Sequence, residues 1–189
     1  MTVDLAGALR RLKPTKRTGS LQRRPDHALP LLGPKPVAGP PLLIDTTVYI
    51  DVLQGRAPPE LVAMLRLRQV NHSSITVGEL AYLLGRLDPA HQGTETAVRE
   101  IVATINDIPA HRLSAPSPQA VLEASIVSGI VARLTGRPKA DRQPLLNDAC
   151  LFLHALESGA VLLSRNLADM DLIAQLVPAG RMLLYRRAP

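Results

Sequence analysis

Cysteine is nearly absent from this chain. Cys150 stands alone, so no disulfide can close within one molecule, and a reducing compartment is the natural setting. Aromatic side chains are scarce as well: Tyr49, Tyr82, Phe152 and Tyr185 make up 2% of the residues. A core must then come from Leu, Val, Ile and Ala, and the 46% hydrophobic content over 189 residues supplies enough for one α/β domain with an extension. No apolar run approaches the roughly 20 residues a membrane-spanning helix needs. The opening MTVDLAGALRRLKPTKR has no continuous apolar stretch behind a basic head, which argues against a signal peptide. The expectation is a cytoplasmic protein without membrane association. His27, His72, His91, His111 and His154 show no ligand spacing, and Cys150 sits beside Leu151 and Phe152. Zinc and thiol chemistry are therefore poor readings.

Charge is present but uneven. Residues 1–40 hold eight Lys/Arg (Arg10, Arg11, Lys13, Lys16, Arg17, Arg23, Arg24, Lys35) against Asp4 and Asp26, which accounts for the whole net charge of +6. The rest of the chain holds fourteen bases and fourteen acids. The same stretch carries six of the 17 prolines and little periodicity beyond a short helix near Val3 to Leu12. It reads as a flexible, solvated extension, or as a basic arm attracted to nucleic-acid phosphates or an acidic partner. The one boundary drawn falls there: 1–40 as a basic Pro-rich extension, 41–189 as the domain.

From Pro41 short strands alternate with helices. PLLID is a buried strand, PPELVAMLRLR a helix entered through proline, VNHSSIT a strand, and TVGELAYLLGRLDP a helix closed by Pro89. TETAVREIVATINDI is a helix, AHRLSA a short strand, and SPQAVLEASIVSGIVARLTG a long helix ending at Gly136. After the basic loop Gly136 to Pro144 come the helix NDACLFLHALESGA, the strand AVLLS, the helix RNLADMDLIAQLVP and the strand RMLLYR. This alternation implies parallel pairing by right-handed crossovers, hence a layered α/β/α sheet.

In an open parallel sheet, function gathers beyond the carboxyl ends of the strands. Asp45 ends the first strand, Glu79 lies in the first turn after the second, and Asp148 opens the helix leading into AVLLS. Ser164, Arg165, Asn166 and Asp169 follow that strand. Each has a local alternative. Asp45 with two threonines caps a turn, Thr76 and Glu79 make a T-x-x-E capping box, Asn147 and Asp148 suit a helix N-terminus, and Asp169 faces water. Together they are costly. Two carboxylates about 4 Å apart repel by roughly 4 kcal/mol at an effective dielectric near 20. A shared cation relieves this, and hard oxygen donors without His or Cys suit magnesium or manganese.

The ordered set LLIDTTVYID, SSITVGEL and LNDACLFLHALESGAVLLSRNLADMD resembles the PIN-domain ribonucleases, most closely VapC-type toxins of toxin–antitoxin pairs, across about residues 41–185. The resemblance implies a three-layer α/β/α domain with a mostly parallel five-stranded sheet. It implies an endoribonuclease that needs Mg²⁺ or Mn²⁺, frequent homodimers, and a cognate antitoxin docked over the active site. It implies metal ligation by Asp45, Glu79 and Asp148, with Asp169 a further catalytic candidate. Many relatives carry aspartate where Asn166 stands; others carry asparagine with aspartate three residues later, as here. Asn166 adds an amide oxygen but no charge, and Asp169 either reaches a metal through water or orients Asn166 and Arg165.

On this reading the Thr46 and Ser164 hydroxyls lie near the metal or the phosphate, with Arg165 and Asn166 positioning. Arg137, Lys139, Arg142 and Arg165 would neutralise the RNA backbone. Few aromatics mean few stacking platforms, so selection would rest on RNA shape. Three rivals stand beside it. A haloacid-dehalogenase-like phosphohydrolase would want a second aspartate where Thr47 stands. A non-catalytic metal- or RNA-binding PIN-like module would bind without turnover. An interaction protein would use the carboxylates only as helix caps.

Overall fold

A computed structural model describes residues 3–138 and 141–188. Five strands form one parallel sheet in the order β3-β2-β1-β4-β5: β1 (Leu42–Ile44), β2 (Val70–Ser73), β3 (Leu113–Ser114), β4 (Val161–Ser164) and β5 (Met182–Leu184). Leu42 pairs with both Val70 and Val161, so β1 is central. Side chains alternate across the pleat. Leu42, Ile44, Val161, Leu163 and Tyr185 bury one face against α2 (Thr46–Leu53), α3 (Pro59–Leu67), α4 (Ser74–Arg86) and α5 (Thr94–Asn106). Leu43, Leu162 and Leu184 bury the other against α6 (Pro118–Thr135), α7 (Arg142–Glu157) and α8 (Leu167–Leu176). This is the expected three-layer α/β/α, PIN-like arrangement, with a sheet that is wholly parallel. Among the described residues no helix is long and apolar enough to cross a membrane.

Local reading fails at three places, each for a physical reason. Asp45 and its two threonines were given a turn as the local alternative; the segment TTVYIDVL, to which no element was assigned, is the helix α2, although β-branched residues are indifferent helix formers. Burial of Val48, Tyr49 and Asp51 overrides that preference. The T-x-x-E capping box is not formed. Ser73 is the cap of α4, its hydroxyl accepting from the Ile75 amide, and Thr76 lies inside the helix with its hydroxyl on the Ile44 carbonyl. Glu79 is thereby freed from backbone duty. Asp148 does not open its helix either. α7 starts at Arg142 and carries Pro144 within its first turn, where a missing N–H costs nothing.

The basic extension lies along the domain instead of standing off it. Helix α1 (Leu5–Leu12) is capped by Asp4, whose carboxylate accepts from the Gly7 amide at 2.7 Å. A Cβ on residue 7 would stand 1.8 Å from that carboxylate, so the cap needs glycine there. Ala8 and Leu12, four apart, face inward, and Lys13 ends the helix at φ 49°. α1 packs on α6, and Arg11 pairs with Glu123. Further on, Arg24 donates to the buried Asp171 from its backbone N–H and from Nε, both at 2.7 Å. Leu29 enters the core. Pro30 to Leu32 then run beside β5, with Leu184 N–H on the Pro30 carbonyl and Leu32 N–H on the Leu184 carbonyl, which covers the sheet's edge.

Candidate functional site

Because every strand runs the same way, all carboxyl ends open on one rim. Asp45 leaves β1 there, only 4% exposed. It begins α2 but makes no cap; its Oδ2 instead accepts from Ser164 Oγ at 2.5 Å and Thr47 Oγ1 at 2.7 Å. Burial pushes its pKa up and the nearby Glu79 adds to that, against the opposing pull of the two hydroxyls. Among the described residues no Lys, Arg or His forms an ion pair with it.

Glu79 is half-buried on α4. One oxygen accepts from the Thr46 hydroxyl, the other from Asn147 Nδ2 at 2.8 Å. Asp148, in the second turn of α7, accepts from Asn166 Nδ2 at 2.9 Å. Its pKa stands well above the ordinary range, first through burial and then through repulsion by Asp45, Asp169 and Glu79. Asp148 therefore feels three carboxylates from three other segments, and the sequence order had placed all four at one rim.

Asn166 is used differently from the expectation. Its Oδ1 accepts from the Asp169 amide at 3.2 Å and caps α8, while its Nδ2 bridges Asp148 and Asp169. Each neighbour admits one assignment only: an amide needs the oxygen, carboxylates need the N–H. The oxygen proposed for a metal is thus committed to the helix, and its nitrogen holds two repelling acids together. Asp169 also pairs with Arg137, the one ion pair that any of the four makes among the described residues.

Thr46 and Ser164 do reach the acids, binding Glu79 and Asp45 respectively. Arg165 does not. Its Nε donates to Asp51 at 2.6 Å, and its backbone N–H to Thr47 Oγ1 at 3.1 Å. Asp51, which sequence reasoning passed over, is wholly buried, takes Arg165 and the Tyr185 hydroxyl (2.9 Å) on Oδ2, and leaves Oδ1 without a partner. Thr47 and Asn147 were weighed only as a turn residue and a helix-start residue; their bonds to Asp45 and Glu79 were missed, and the only signal was that each lies within two residues of a rim acid. Arg142 is exposed at the start of α7, and Lys139 lies outside the described residues.

A cavity of about 800 Å³ opens between α4 and α7, lined by Thr46, Glu79, Asn147 and Tyr82. Tyr82 is 66% exposed, with the Arg86 guanidinium 5.8 Å from its ring centre. The donors at the rim are all hard oxygens and suit Mg²⁺ or Mn²⁺ in kind. Among the described residues, no three Asp, Glu, His or Cys side chains form a group that could hold a metal ion in this arrangement. Hydroxyl and amide donors hold Asp45, Glu79 and Asp148 in their present places, and Arg137 with Asn166 holds Asp169.

No family model matches this chain, and no curated protein matches it. Solved structures do. DNA-bound VapBC from Salmonella typhimurium aligns with a TM-score of 0.55 and 19% identity over 78% of this chain and 98% of that one. FitAcB from Neisseria gonorrhoeae aligns with a TM-score of 0.54 and 18% identity over 76% and 96%. At such identity the likeness is one of fold. The sequence-level assignment to VapC-type PIN ribonucleases is corrected accordingly: with no family model behind it and fewer than one residue in five shared, what stands is a common architecture.

Proposed function

We propose that this protein is a metal-dependent endoribonuclease acting opposite a cognate antitoxin. The observation that carries the reading is electrostatic. Asp45 and Asp148 lie at one rim with raised pKa values, and among the described residues neither forms an ion pair, whereas Arg137 pairs with Asp169 and Arg165 with Asp51. Folding tolerates such a cluster when a bound ion repays it. Asp45, Glu79 and Asp148 would hold Mg²⁺ or Mn²⁺. When bound, such an ion polarises a phosphodiester oxygen and makes water a stronger nucleophile.

The chain's own residues prepare that chemistry. Ser164 and Thr47 fix the Asp45 carboxylate, Thr46 and Asn147 fix Glu79, and Asn166 sets the spacing of Asp148 from Asp169. Asp169, neutralised by Arg137, is a positioning residue on this reading. The partners proposed are RNA as substrate, an antitoxin, and a second copy in a homodimer, in the cytoplasm where Cys150 stays reduced.

The test is cleavage of labelled RNA by the purified chain. Product should form with Mg²⁺ or Mn²⁺, stop with EDTA, and vanish in Asp45→Asn. Full activity in that variant would overturn the proposal. A second reading, a non-catalytic metal- or RNA-binding module, draws on the committed Asn166 oxygen and the ungathered carboxylates. A gel shift without product under either metal would favour it.

A further inference from the structure

A pocket of about 470 Å³ that shares Arg165 with the turn after β4 is lined by Arg23, Arg165, Tyr185, Arg186 and Arg187, together with Leu167 and Ala168. Three parts of the chain far apart in sequence supply its guanidiniums. Arg23 comes from the basic extension, Arg165 from the turn after β4, and Arg186 with Arg187 from the tail beyond β5. The extension is held where it can do this because the next residue, Arg24, is bound to the buried Asp171.

The counter-charges fall short. Arg23 and Arg186 share the one carboxylate of Asp26, and Arg165 takes Asp51. Arg187 has no carboxylate partner among the described residues. Among the described residues four guanidiniums thus face two carboxylates, an excess of two positive charges in one concavity. The Asp26 pairs are solvent-exposed, with side-chain exposures of 32% and 60% on the arginines, and pairs of that kind yield readily to a stronger acceptor. Guanidinium forks match phosphate oxygens in geometry as well as charge. The pocket is also wired to the acids: Arg165 N–H bonds Thr47 Oγ1, and Thr47 bonds Asp45.

We propose that this arginine pocket binds backbone phosphates of a single-stranded RNA beside the bond that lies at Asp45, and that the folded N-terminal extension contributes to it through Arg23. The inference rests on the nuclease reading for its substrate. It assigns the chain's uneven charge a place: the extension adds to the phosphate-binding surface of the domain on which it lies.

Binding is measured with the full chain in EDTA, so that neither metal nor cleavage enters, using fluorescence anisotropy of a labelled single-stranded RNA over a salt series. Each phosphate contact on a single strand contributes about 0.7 to the slope of log K against log salt, which amounts to about fivefold in affinity at 0.1 M relative to 1 M. Arg23→Gln and Arg187→Gln should each flatten the slope by that amount, and the double variant should bind roughly 25-fold more weakly at 0.1 M. Arg99→Gln, on the exposed face of α5, should change neither. Thermal melting checks that the variants are folded; both residues are exposed, so it should not move. An unchanged slope and affinity in the folded double variant would overturn the proposal. So would a double variant that keeps its hold on RNA but loses polyglutamate, which would make the pocket a seat for an acidic protein. The nuclease reading fails separately: loss of RNA affinity in the double variant of a protein that never cleaves keeps the pocket, and cleavage by a variant with unaltered binding keeps the nuclease.

Discussion

Two pairs of aspartates divide the molecule. Asp51 and Asp171 are wholly buried, and each faces an arginine, Arg165 and Arg24. Asp45 and Asp148 face hydroxyls, an amide and each other. The first pair has the arrangement of structural carboxylates: a charge is taken out of water and a cation comes with it. The second is held by neutral donors, with no ion pair among the described residues; on the proposed reading a metal ion takes that place. Distance along the chain does not separate the two kinds, since Asp45 and Asp51 belong to the same short helix region and point to different partners.

The comparison can be broken from either end. The largest effect expected is on turnover. Asp45→Asn should lower RNA cleavage by about a thousandfold, some 4 kcal/mol of transition-state stabilisation. The same substitution should leave stability unharmed or raise the melting temperature by roughly 2–4 °C, because it removes a buried, repelled charge. Cleavage assays and calorimetry on one preparation would check both, and a destabilised Asp45→Asn would erase the distinction. Next comes metal. Mn²⁺ at 100 times its dissociation constant should stabilise the wild type by about 2.7 kcal/mol and Asp148→Asn by far less, read as shifts in thermal melting.

Smaller effects belong to the other pair. Asp51→Asn should cost about 2 kcal/mol in urea denaturation, discounted because the Arg165 side chain is 32% exposed, while the folded fraction still cleaves RNA. Arg24→Gln should cost about 1 kcal/mol, since Arg24 is 42% exposed and Asp171 keeps Gln175 and a backbone N–H. Loss of cleavage in Asp51→Asn at full foldedness would move Asp51 into the active group.

The smallest effect concerns pH. His154 is buried between the Ser73 and Ser114 hydroxyls, and burial lowers its pKa below 6.5 despite the opposing influence of Glu157. The unfolded chain then binds the proton that the folded one refuses, so this contribution is present above pH 6.5 and fades as pH falls below it. His154→Gln should flatten that decline. Melting curves between pH 7.5 and 5 would show it, and parallel curves for both proteins would refute it.

Much of the architecture was legible because it rests on short-range pattern. PLLID and AVLLS are apolar runs of strand length, and the leucines of α4 recur at helical spacing. The rim acids were legible because parallel strands must deliver their ends to one side. What escaped depends on contacts across the sheet. α2 forms against its residues' own preferences once Val48 and Tyr49 are buried. Glu79 looked like a cap until Thr46 and Asn147, remote in sequence, took its oxygens. The extension looked unstructured because Leu29 and Arg24 are single anchors, and single anchors have no period.

Sequence by itself determined the alternation of strands and helices, the parallel sheet that follows from it, and the arrival of Asp45, Glu79, Asp148 and Asp169 at one rim. These are consequences of periodicity and chain connection, which are local. Tertiary structure alone decided which acids meet arginine and which meet only hydroxyls and amides, that the Asn166 oxygen serves α8, and that a basic arm lies folded beside the rim. Charges are paired through space, and a residue's partner a hundred positions away leaves no mark on its neighbours in the chain.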